Sequence, residues 1–135
     1  MNVEETNEFD SAATELDLEQ LTALFRLLSD KTRLNILLLL AGGERNVSWL
    51  CSELKLPQPT VSHHLGLLRL HSILGNRRAG KQIFYQLNGR VDQEEGTGGL
   101  SIHTERYVVK IAGSSTRTPL PPLNANDATE AMALQ

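Results

Sequence analysis

Leu56-Pro57-Gln58-Pro59-Thr60-Val61-Ser62-His63-His64-Leu65 is the stretch that decides how this chain folds. Leu56-Pro57 ends one element. Pro57 and Pro59 stand where a new helix begins, a place that tolerates proline because first-turn amides have no intrahelical partner. Val61, Leu65 and Leu68 recur at helical steps and mark the buried side of that helix. Just before it, Asn46 can cap a short helix whose inward stripe is Val47, Leu50, Cys51 and Leu54 and which ends near Lys55. Two short helices joined by a tight turn form a helix-turn-helix.

Upstream, Leu18, Leu21, Leu24, Phe25 and Leu28 recur at three- and four-residue steps and define a first helix with one apolar face. Ser29 or Asp30 can cap a second, which runs through Leu34, Leu37, Leu38 and Leu40 until Gly42-Gly43 stops it. Downstream of Leu70 the period becomes strand-like. Ile73-Leu74 leads through Asn76-Arg77-Arg78 and Ala79-Gly80 into Lys81-Gln82-Ile83-Phe84-Tyr85-Gln86-Leu87, a hairpin with a basic tip. Leu100 to His103 and Arg106 to Ile111 predict a second hairpin. The expected fold is mainly α with a small β component (α+β): a winged helix-turn-helix with an extra C-terminal β-hairpin. Residues 1–17 read as an acidic flexible leader, 18–90 as the winged helix-turn-helix domain, 91–112 as the hairpin extension and 113–135 as a disordered tail.

The 135 residues suffice for one compact domain. The richest apolar run, Ile36 to Ala41, is far too short to cross a bilayer, so no membrane partner is expected and a cytoplasmic location is. A single cysteine, Cys51, rules out an internal disulfide and fits a reducing compartment. The net charge of -3 argues against nucleic acid only until its distribution is read. Residues 1 to 19 carry seven acids and no base, whereas residues 20 to 90 carry ten bases against Asp30, Glu44 and Glu53. A basic body behind an acidic leader suits a phosphate-bearing partner.

Four segments in order, Leu28 to Leu37, Leu56 to Leu65, Leu67-Leu68-Arg69 and Arg77 to Leu87, resemble the ArsR-type (arsenic-repressor-like) winged-helix repressors over roughly half of the chain, Leu21 to Leu87. The resemblance implies a homodimer whose two recognition helices sit on a promoter palindrome and leave it when a signal arrives. Two departures follow from the same comparison. Where many metal-responsive members carry Cys-Val-Cys, this chain has Asn46, Val47 and Ser48, so no metal or other cofactor is expected. Where members usually end in a long pairing helix, Gly89, Gly96, Gly98, Gly99 and a β-branched run disfavour one, so dimerisation is expected through the first helix or through strands joined edge to edge.

A helix that reads bases must present short polar side chains near its N-terminus. Gln58, Thr60, Ser62 and His63 meet that need, with Arg69 placed for the sugar-phosphate backbone. Arg77, Arg78 and Lys81 around Gly80 suit a wing lying along phosphates or entering a narrow minor groove. Phe84 and Tyr85 are expected to anchor the wing, and Trp49 to be partly core. His63 and His64, about 100° apart on a helix, cannot easily share a metal ion, and His71 and His103 could do so only if the fold converged them. No phosphate-cradling glycine loop, cysteine-histidine pair or Gly-x-Ser-x-Gly elbow occurs, so an enzyme is not expected. The expected function is a sequence-specific regulator of transcription on double-stranded DNA, a dimeric repressor; the alternative is a winged-helix protein-interaction module without DNA binding. The effector stays open, with redox control through Cys51 among the candidates.

Overall fold

The computed structural model describes residues 13–94 and 99–113; most of the expected leader and tail lies outside them. Helix α1, Glu15–Leu28, begins three residues before the expected start at Leu18. The Asp17 amide donates to Thr14 Oγ1 at 3.1 Å and the Thr14 amide to Asp17 Oδ2 at 3.0 Å, a reciprocal capping box that draws the last acidic residues of the expected leader into the helix. Helix α2, Lys31–Leu40, is capped by Asp30, whose carboxylate accepts from the Arg33 amide at 3.0 Å. Ser29, the other candidate cap, instead closes α1 by donating to the Arg26 carbonyl.

Strand β1, Arg45–Asn46, leads into α3, Val47–Leu54, and Asn46 caps that helix through the Trp49 amide at 2.7 Å. Lys55 ends α3 with φ 55°, a left-handed conformation that costs a non-glycine residue about 1 kcal/mol. The tight turn through Leu56-Pro57 then delivers α4, Gln58–Leu70. Strands β2, Leu74–Ala79, and β3, Gln82–Leu87, form the wing, with Arg78 opposite Ile83 and Ala79 opposite Gln82. Gly80, at φ +64°, takes the first place of the two-residue turn, where a side chain would be strained. β1 pairs with β3, giving the sheet order β1-β3-β2.

The C-terminal region departs from the expected hairpin by one strand. β4, Val91–Glu94, β5, Gly99–His103, and β6, Val108–Ile111, make an antiparallel sheet in that order. β4 has little β-propensity of its own; its pairing from Val91 opposite Ile102 to Glu94 opposite Gly99 holds it.

One apolar cluster joins the elements. Ile36, Leu37, Leu50, Val61, Leu65, Leu68, Ile73, Leu100 and Ile102 are fully enclosed. The expected apolar face of α1 splits. Leu24, Leu27 and Leu28 enter the core, whereas Leu18 and Phe25 remain 49% and 52% exposed. About 100° per residue puts Leu18 and Phe25 on one stripe, turned away from Leu24 and Leu27.

Candidate nucleic-acid interface

Burial of Val61, Leu65 and Leu68 fixes which face of α4 points outward. His63 and Gly66 lie on the outer side and are exposed; Gln58, Thr60 and Arg69 are exposed around them, and Ser62 sits half-buried on the flank. A methyl group added at Gly66 would meet nothing within 4 Å, so neither packing nor backbone conformation demands glycine there.

His64 points the other way. Arg33 Nη1 donates to His64 Nδ1 at 3.3 Å, and Arg33 Nε donates to the Leu27 carbonyl at 2.6 Å. One guanidinium therefore ties the end of α1 to the middle of α4, with Asp30 carboxylate oxygens 3.9 Å from Arg33 and 4.0 Å from His64. The hydrogen bond from the Arg33 amide is the main cause that holds the Asp30 carboxyl below the ordinary aspartate value; the Arg33 charge acts in the same direction. This clamp was not legible in the sequence because its partners stand 31 residues apart.

The wing cations divide. Arg77 Nε and Nη2 donate to both oxygens of Glu44, at 2.8 and 2.5 Å, and its guanidinium lies 4.6 Å from the Phe84 ring centre. That two-pronged hydrogen bond lowers the Glu44 carboxyl and raises the Arg77 guanidinium from their ordinary values. Arg77 is thus a tether between the wing and the α2–β1 loop as well as an exposed cation. Arg78 and Lys81 have no acidic partner among the described residues. Tyr85 is buried and Phe84 half-buried, and Arg45 stacks on the half-buried Trp49 at 4.5 Å.

Between the wing and the helix-turn-helix lies a cleft of about 490 Å³, lined by Ser48 and Cys51 of α3, Gln58 of α4, and Lys81 of the wing turn. Residues expected from two separate segments, the start of α4 and the wing tip, are thereby brought to one concave surface. Asn46 Nδ2 donates to Gln82 Oε1 at 3.1 Å and holds the wing against the start of α3. Cys51, expected inside, is half-buried at this cleft.

Among the described residues no group of three or more His, Cys, Asp or Glu side chains is placed to hold a metal ion. His63 and His64 meet edge to face, 5.5 Å between ring centres. His71 and His103 do converge, on a second cleft, but His71 Nδ1 bonds to the Leu67 carbonyl at 2.9 Å and His103 Nε2 to Asp92 at 2.7 Å.

A helix-turn-helix followed by a β-hairpin set against its second helix is a winged helix-turn-helix domain. Residues 30–69 match the model of the arsR family of bacterial regulatory proteins. The arsenical resistance operon repressor of Escherichia coli K12 is 45% identical over 69 residues, which cover 50% of this chain and 59% of that protein. The transcriptional repressor SdpR of Bacillus subtilis is 35% identical over 71 residues, 53% of this chain and 79% of the repressor. The solved homodimeric winged helix-turn-helix DNA-binding domain of a possible ArsR-family regulator from Mycobacterium bovis is 28% identical, with a TM-score of 0.52 over 58% of this chain and 76% of that domain. The chain belongs to the arsR family of regulatory proteins. The family match ends at Arg69, so the wing and the C-terminal sheet lie beyond it.

Proposed function

We propose that this chain is a sequence-specific, duplex-DNA-binding regulator that represses transcription as a homodimer. The observation that carries the reading is the cleft shared by Gln58 and Lys81, because it sets the start of α4 beside a wing cation that has no acidic partner among the described residues. Gln58 is suited to an adenine edge, Thr60 and Ser62 to phosphate or base, and His63 to a base acceptor. Arg69, Arg78 and Lys81 supply backbone charge, and Arg77 adds to it while steering the wing. The bare outer surface at Gly66 lets the helix backbone come close to a groove wall.

The exposed Leu18 and Phe25 stripe on α1 supports a second copy docking there, in keeping with the homodimeric M. bovis domain. Two recognition helices would then meet half-sites about one helical turn, roughly 34 Å, apart. No helix among the described residues is long and apolar enough to cross a membrane. A cytoplasmic, non-enzymatic protein is the reading consistent with these features and with relatives named as repressors.

Fluorescence anisotropy on a palindromic and a scrambled duplex, at rising salt, tests the assignment. Lys81→Ala should weaken both duplexes alike and reduce the slope of log affinity against log salt by about one. Ser62→Ala and His63→Ala should instead narrow the gap between the two duplexes. Absence of binding to either duplex at low salt would leave a protein-interaction module as the surviving reading.

A further inference from the structure

A second cleft, of about 550 Å³, opens at the other end of α4, roughly 20 Å of helix from Gln58. Its apolar wall is Ala23, Leu24 and Leu27 of α1 with Ile73, and its rim carries Arg90 and Glu105. Arg90 is half-buried and pinned from two sides: Nε donates to the His103 carbonyl at 3.0 Å and Nη1 to the His71 carbonyl at 2.9 Å. Both acceptors are neutral. Among the described residues no carboxylate pairs with this guanidinium, and its Nη2 has no hydrogen bond.

A fixed, partly desolvated cation beside an apolar wall is a complement for an anion with an apolar body, since charge-assisted hydrogen bonds strengthen as water is removed and the donor needs no reordering. The volume falls within the range of about 300 to 1,000 Å³ typical of small-molecule pockets. Glu105 on the same rim disfavours a polyanion. We infer that the cleft between α1 and the C-terminal sheet binds a small amphipathic monocarboxylate, with Arg90 holding the carboxylate and Leu24, Leu27 and Ile73 the hydrocarbon.

Occupancy has a route to α4. His71 is the residue that ends that helix, and Leu27, whose side chain lines the cleft, gives its carbonyl to the Arg33 that holds His64. A ligand that shifts α1 against the sheet would therefore alter the seating of α4. This coupling rests on the regulator reading above; the binding itself does not.

Calorimetry on the full chain without DNA, using octanoate and octan-1-ol as probes, tests the site. Octanoate should bind once per chain and about tenfold more tightly than the alcohol. Arg90→Gln should bring octanoate down to the alcohol's level. Ala23→Phe, which fills the cleft and leaves both Arg90 bonds in place, should remove both ligands. Should Arg90→Gln unfold the sheet by circular dichroism, Ala23→Phe and the two-probe comparison decide the matter. No octanoate binding, equal binding of the two probes, or binding unchanged in Ala23→Phe would overturn the inference and leave Arg90 as a clamp of the sheet alone. With duplex added, octanoate should change DNA affinity by the factor by which DNA changes octanoate affinity, about fivefold or more. Octanoate binding that survives in a chain unable to bind any duplex would sink the regulator reading and leave the site standing.

Discussion

The two small sheets have the same size and opposite characters. In the wing, Leu74 and Tyr85 are buried, and the strand ends toward Gly80 project into solvent, where Arg78 and Lys81 have no acidic partner among the described residues. In the C-terminal sheet the central strand β5 is enclosed on both faces from Gly99 to Ile102. A strand buried on both sides is part of the wall of the molecule. A hairpin whose turn carries exposed cations, even with Gln82 and Arg77 tethered to Asn46 and Glu44, is built to touch something outside it.

Substitutions at matching depth break or sharpen that contrast. Ile102→Ala, at a fully enclosed site, should cost about 2–5 kcal/mol in urea unfolding, whereas Ile83→Ala, on the outer half of the wing, should stay within about 0.5 kcal/mol. Comparable losses at the two positions would mean that the wing is as much a part of the core as β5. Next in size is Gly66→Ala, which should raise stability by roughly 0.5–1 kcal/mol because glycine weakens a helix interior, while reducing duplex affinity by closing the outer face of α4. A variant both more stable and equally tight on DNA would show that α4 makes no close approach there.

The smallest effect concerns the clamp behind α4. The Asp30 carboxyl titrates below its ordinary value, so its stabilisation is fully present above that value and is lost as pH falls through the lower folded one. Asp30→Asn keeps a capping oxygen but removes the titration. It should flatten the loss of thermal stability between about pH 5 and 2. An acid limb identical to that of the parent chain would count against the assignment.

The helices and the wing were legible because their signals are local: apolar spacing in Val61, Leu65 and Leu68, proline at a helix start, and alternation around Gly80. What escaped depends on distant pairing. Val91-Asp92-Gln93-Glu94 carries one β-branched residue and becomes a strand only because β5 lies beside it. Arg77 reads as a wing-tip cation until Glu44, 33 residues away, is brought against it. Of the candidate site, residue types and outward positions on α4 were predictable, with Ser62 more recessed than expected. The clamp of Arg33 on His64 and the cleft beneath Arg90 needed the assembled chain.

Asn46 shows how occupied a small position can be. One end of its amide secures the first turn of α3 and the other grips Gln82 of the wing. Grafting thiols at positions 46 and 48 to create a metal sensor would therefore uncouple two mechanical linkages at once. Whatever sensitivity such a hybrid acquired would come with a loosened hairpin, so metal responsiveness could not be transplanted here as a self-contained module.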